Sequence, residues 1–147
     1  MDELLNKLLK FKLSTECLKH SGRIYKEIKK KNYPFEYQII ALLHDVLKET
    51  NSKQQQMKLL KKEFGRKILN KVKLLTFKED TNYNKYILNL RNKDRYLFSI
   101  KIYDISDNLS NNPIPEQILK YKEAFSFLKK NRIFIPKLIT EKLKEFG

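Results

Sequence analysis

Helix breakers are almost absent from this chain, which holds 3 glycines and 4 prolines in 147 residues. Turn-rich β architectures need both at their corners, so a chain this poor in them is built from helices. The apolar spacing agrees. Leu4, Leu5, Leu8, Leu9 and Leu13 recur at intervals of three and four and predict a first amphipathic helix. Cys17, His20, Ile24 and Ile28 line a second, capped by Ser14 or Thr15 and ended at Asn32-Tyr33-Pro34, because the residue before proline leaves helical geometry. Ile39, Ile40, Leu42, Leu43, Val46 and Leu47 predict a third helix, apolar on most sides and therefore central. A fourth starts at Ser52 and stops at Phe64-Gly65, and a fifth carries Ile68, Val72 and Leu75. Beyond a polar loop at 78–82, helices are expected over 83–90, 94–109, 117–130 and 136–146, with Asn111-Asn112-Pro113-Ile114-Pro115 as a linker. The expected fold is all-α, a compact multi-helix bundle of about seven to nine helices in one domain over residues 1–147.

Composition narrows the function. At 41% hydrophobic and 12% aromatic residues the chain is no disordered tail. One cysteine, Cys17, excludes an internal disulfide framework and a cysteine-rich zinc module. No apolar run approaches the roughly 18–20 residues of a membrane span, and Met1-Asp2-Glu3 is not the start of a signal peptide. A soluble cytoplasmic protein with no membrane partner is expected. The net charge of +15 comes from 27 lysines and only 5 arginines, spread along the chain among many Asn and Ile residues. Those three residue types share A/T-rich codons, and a dedicated reader of phosphates and bases would use more arginine. Nucleic acid is therefore not the favoured partner, although the basic field draws in any anionic substrate.

The informative side chains are polar ones inside apolar stripes. His20 shares its stripe with Cys17 and Ile24. His44-Asp45 follows Ile39-Ile-Ala-Leu-Leu43, in the most hydrophobic helix, and Asp104 interrupts Phe98-Ser-Ile-Lys-Ile-Tyr-Asp-Ile105. A carboxylate buried alone costs several kcal/mol, so it is expected to be paired or to bind a metal. Two imidazoles and two carboxylates suit a divalent ion, manganese first, with iron, cobalt, nickel or zinc as alternatives; magnesium prefers oxygen ligands throughout.

His20, the doublet His44-Asp45 and the later Asp104 together resemble the HD superfamily of metal-dependent phosphohydrolases. Within it the chain is most similar to the hydrolase domain of (p)ppGpp (alarmone) enzymes. Ala41-Leu-Leu-His-Asp-Val-Leu-Lys-Glu-Thr50 looks like that group's ALLHDVxEDT segment. Glu63-Phe-Gly-Arg-Lys-Ile-Leu-Asn-Lys-Val72 looks like FGxxVxxLV, and Ile100-Lys-Ile-Tyr-Asp-Ile-Ser-Asp-Asn-Leu109 like IKLADRLxNM, with Lys120-Tyr121 matching a downstream pair. The resemblance implies a helical fold, a nucleotide substrate, and His20, His44, Asp45 and Asp104 as metal ligands. Glu49 is then the candidate to handle the attacking water. By helix spacing Lys48, one turn beyond Asp45, and Arg23, three residues after His20, are candidates to contact phosphate, and Asn108, four residues after Asp104, to hydrogen-bond the nucleotide or a water.

Two departures separate the chain from the alarmone group. The RKxxGxPYxxH approach to the first histidine, which holds guanine, is replaced by Phe11-Lys-Leu-Ser-Thr-Glu-Cys-Leu-Lys-His20. The acidic pair of HDxxED reads Lys48-Glu49, and Lys48 fits HDxxK, a form found in HD phosphodiesterases. A phosphodiesterase or nucleotidase acting on another nucleotide, and a non-catalytic nucleotide-binding HD domain, stand as alternatives. Tyr103 and Tyr121 are candidates either for stacking on a base or for core packing.

Overall fold

The computed structural model describes residues 2–48 and 52–147, the side chain of Asp2 excepted. Among the described residues there are nine helices and no strand, as the scarcity of breakers requires. The chain divides into two compact units, Met1–Thr76 and Phe77–Gly147.

The first unit holds α1 (Asp2–Leu9), α2 (Thr15–Lys30), α3 (Phe35–Leu43), α4 (Lys53–Phe64) and α5 (Arg66–Leu75). Ser14 starts α2 by accepting a hydrogen bond from the Cys17 N–H at 3.1 Å. The first helix stops at Leu9, short of Leu13, and Lys12 beyond it takes a left-handed φ of 51°. Gly65, at φ 91°, supplies the single-residue turn between α4 and α5 that other residues rarely adopt. Ile24, Ile28, Ile40, Leu43, Leu60, Val72 and Leu75 are buried and form the core stripes of their helices.

The main local difference from the sequence expectation lies after Leu43. The apolar run was expected to stay helical through Leu47, but α3 ends at Leu43 and residues 44–48 form tight turns. The Val46 N–H bonds the Leu43 carbonyl at 3.0 Å and the Lys48 N–H bonds the Asp45 carbonyl at 3.1 Å. Both are three-residue closures, narrower than an α-turn. The cause is His44 itself, whose ring nitrogen Nδ1 lies 2.7 Å from the Ala41 carbonyl oxygen. An α-helix would offer that oxygen to the Asp45 N–H.

The second unit holds α6 (Tyr83–Lys93), α7 (Arg95–Ser110), α8 (Pro115–Lys130) and α9 (Lys137–Lys144). Asn82 caps α6 through the Lys85 N–H, and Asp94 caps α7 through the Tyr96 and Leu97 N–H groups. Pro115 sits at the start of α8, where its missing N–H costs nothing. The core gathers Ile87, Ile102, Ile105, Leu109, Tyr121, Phe125, Leu128 and Ile139.

Candidate metal centre

In the first unit, α2 and the turn after α3 bring three of the expected ligands together. His20 lies one turn beyond Cys17 and just before the buried Ser21. The apolar α3 carries His44 into the interior, where it is 1% exposed. Because a carbonyl oxygen only accepts, the 2.7 Å contact to Ala41 places the His44 proton on Nδ1 and leaves a lone pair on Nε2. A backbone partner on one ring nitrogen is how metal-binding imidazoles are oriented.

That Nε2 atom lies 3.3 Å from His20 Nε2 and 3.3 Å from Asp45 Oδ2, and His20 Nε2 lies 3.6 Å from the same carboxylate oxygen. The His20 and Asp45 side chains are each 13% exposed. With the His20 proton on Nδ1, three electron-pair-bearing atoms face one point, separated by 3.3, 3.3 and 3.6 Å. A cation at about 2.0–2.2 Å from each atom of a tetrahedral set separates its ligands by about 3.3–3.6 Å. The observed distances span that interval. This His/Asp cluster can hold a divalent metal ion.

Asp104 belongs to the second unit, where α7 buries it to 6% exposure. Its two oxygens already have donors. Lys101 Nζ donates to Oδ2 at 3.1 Å, and Asn108 Nδ2 donates to Oδ1 at 3.4 Å. Asn108 also donates to the Tyr121 hydroxyl at 3.0 Å, to which Gln117 donates at 3.4 Å. The helix runs on to Ser110, so Asn108 is an inward brace and not a helix cap. Burial pushes the Tyr121 phenol up from its ordinary pKa and the Asp104 charge adds to this, while the bonds from Asn108 and Gln117 oppose it. Burial likewise holds Tyr83 well above the ordinary phenol range.

Sequence reasoning missed Lys101, which is 8% exposed and sits 5.6 Å from the Tyr86 ring centroid. It shares a helix face with a buried aspartate three residues on, but a lysine at such a position ordinarily extends its head to water, so spacing alone does not mark it. Tyr121 is a core residue at 3% exposure, which settles its role as packing.

Of the residues expected to meet substrate, Arg23 is exposed one turn beyond His20, and Lys48 is exposed in the turn that follows Asp45. Glu49 lies outside the described residues. Among those described, no helix is long and apolar enough to cross a membrane. Comparison with protein-family models, with curated proteins and with solved structures found no match in any of the three.

Proposed function

We propose that the protein is a metal-dependent nucleotide phosphohydrolase of the HD type, with Asp104 joining His20, His44 and Asp45 as the fourth ligand. The observation that carries this reading is the convergence of His20, His44 and Asp45 at ligand-to-ligand spacing, with the His44 tautomer fixed by Ala41. A mixed imidazole and carboxylate set suits a divalent transition-metal ion; manganese is the ion proposed, with iron, cobalt, nickel or zinc as alternatives. When bound, such an ion supplies an acidified water and neutralises charge on the attacked phosphate.

The chain's own residues do the rest. Glu49 accepts the proton of the attacking water. Lys48 and Arg23, both on the solvent side, hold non-bridging phosphate oxygens, Lys48 as a point charge and Arg23 through its planar fork. Asn108 spends its amide hydrogens on Asp104 and Tyr121, which leaves its carbonyl oxygen to accept from a nucleotide hydroxyl or amine. The segment likenesses at 41–50, 63–72 and 100–109 favour a (p)ppGpp-like alarmone, from which pyrophosphate is released at the 3′ position.

The second reading is a phosphodiesterase or nucleotidase, favoured by an exposed Lys48 where the alarmone group has an acid. Elemental analysis of the purified protein, followed by a manganese-supplemented screen over guanine and adenine alarmones, cyclic dinucleotides and nucleoside monophosphates, separates the two. Near-stoichiometric transition metal with pyrophosphate release supports the first reading. Metal with cleavage of a cyclic dinucleotide or a monophosphate alone supports the second. No metal binding under any condition removes both.

A further inference from the structure

The helix pair α4–α5 carries the chain's longest stretch dense in cations and poor in acids. Of 32 cations and 17 acids in the sequence, the stretch from Lys53 to Leu75 holds eight cations and one acid. That acid, Glu63, has a side chain 9% exposed and is engaged by Lys10 Nζ at 2.8 Å. The solvent faces of both helices are therefore free of unpaired carboxylate. Gln54, Gln55, Lys58, Lys61 and Lys62 are exposed and recur at three- and four-residue intervals, which makes them one face of α4. Arg66, Asn70 and Lys73 are exposed on one face of α5 by the same spacing.

Local structure does not ask for this arrangement. Lys58 repels Lys61 and Lys62 at three- and four-residue separation. Lys53 opens α4, and Arg66 and Lys67 open α5, where the partial positive charge of a helix start disfavours cations; neither first turn contains an acid. Lys67 is offset by Glu36 at 3.4 Å, and Lys71 by the same carboxylate at 3.1 Å. The others on these faces form no ion pair among the described residues. A codon bias toward lysine raises cations everywhere but does not strip acids from two adjoining helices. On α8, by contrast, Glu116 and Glu123 flank Lys120 and Lys122, and α6, also without an acid, carries only Lys85, Arg91 and Lys93.

We propose that the α4–α5 pair is a binding face for the phosphate backbone of a nucleic acid. Each unfavourable feature of the isolated helices becomes favourable against a polyanion. Helix starts and point-charge lysines contact phosphates without reading bases, so the binding is independent of sequence. An anionic membrane fits less well, because interfacial helices present large apolar residues to the lipid. Here Leu60, Ile68, Val72 and Leu75 are buried in the unit's own core, and the exposed positions beside the cations are amides apart from a single leucine, Leu74, at 36% exposure. This inference is independent of the metal centre.

The test is fluorescence anisotropy of labelled single-stranded RNA and duplex DNA over a series of salt concentrations. It compares the full chain with Lys58→Gln/Lys61→Gln/Lys62→Gln and with Lys93→Gln/Lys129→Gln/Lys130→Gln. Both triples remove the same charge from exposed sites. The α4 triple is expected to flatten the slope of log K against log salt on duplex DNA by about 2 to 3, at roughly 0.9 per lost phosphate contact. The control triple should leave the slope close to that of the parent. No binding by the parent at low salt, or equal losses from both triples, overturns the proposal, as does binding only to anionic lipid vesicles. Should circular dichroism show that the α4 triple has lost helix, Lys58→Gln and Lys62→Gln alone carry the test.

Discussion

Asp45 and Asp104 are both removed from bulk water on helical scaffolds, yet their surroundings are opposite. Asp45 faces His20 and His44, two imidazoles of which one has its only proton turned away toward Ala41. Asp104 is flanked by an ammonium and an amide that satisfy both of its oxygens. The first carboxylate has two imidazoles beside it, at 3.6 and 3.3 Å. The second has a counter-charge built in, the Lys101 ammonium. Burial alone therefore says little about a polar group: the Asp45 cluster gains from a cation, whereas Asp104 is already stable and, as a ligand, would have to share its lone pairs with Lys101.

The largest effect that sharpens this contrast is on metal binding. His44→Ala or Asp45→Asn should abolish bound metal and activity together, since each removes one of the converging donors of the cluster. Asn108→Ala takes away one brace of Asp104 and should weaken metal binding by only about 10- to 100-fold, the usual cost of an outer partner. Glu49→Gln should keep the metal and slow turnover by about a hundred- to ten-thousand-fold. Metal titration followed by calorimetry or inhibitor-free kinetics reads all three. Full metal content in Asp45→Asn would place the ion elsewhere.

A smaller effect concerns the stability of the metal-free protein, and here the order of the two aspartates reverses. Asp104→Asn takes from the buried Lys101 ammonium its carboxylate partner at 3.1 Å, which costs about 3 kcal/mol. For a chain of this length that lowers Tm by about 6–12 °C. Asp45→Asn should cost less, because an amide can donate to the His44 Nε2 lone pair 3.3 Å from the carboxylate. Replacing both members of the buried pair, Lys101→Met with Asp104→Leu, should restore most of the loss, since apolar pairs of similar volume substitute well for buried ion pairs. Thermal melts in a chelator decide it. Equal losses from Asp45→Asn and Asp104→Asn would mean that the two environments do not differ as their contacts indicate.

The sequence announces some parts of this contrast and hides others, for physical reasons. Helix positions are legible because 3.6-residue periodicity runs unbroken between few breakers, and caps such as Ser14 use side chains whose preference is local. The left-handed turns at Asn32 and Asn112 suit asparagine, whereas those at Lys12 and Arg132 do not, so the early end of α1 could not be read from residue type. The break after Leu43 depends on a ring competing for a carbonyl, which periodicity does not register. His20, His44, Asp45 and Asp104 stand out as polar residues in apolar stripes. Lys101 does not, because a lysine in such a stripe ordinarily extends its head to water. Its burial follows from the Asp104 carboxylate and the Tyr86 ring, contacts that only the folded unit supplies.

The smallest effect belongs to the tyrosines that surround the braced carboxylate. Burial disfavours the phenolate of Tyr83 and holds its pKa well above the ordinary value near 10, with Lys101 opposing this in part. The unfolded chain releases that proton at its ordinary pKa, while the folded chain keeps it. A group whose folded pKa is raised gives stability that is complete below the unfolded pKa and fades as pH climbs from there toward the folded value. The second unit should accordingly lose stability above about pH 10. Tyr83→Phe has no proton to release in either state, so its stability should fall less steeply over the same range while differing little from the parent at pH 7. Tyr121→Phe is the less clean probe, since it also strands the donors of Asn108 and Gln117 and so loosens Asp104 at neutral pH. Denaturant melts at pH 7, 9 and 10.5 distinguish the cases. Parallel alkaline losses in the parent and in Tyr83→Phe would show that the Tyr83 hydroxyl reaches water, and that Asp104 and its lysine sit in a wetter pocket than their contacts imply.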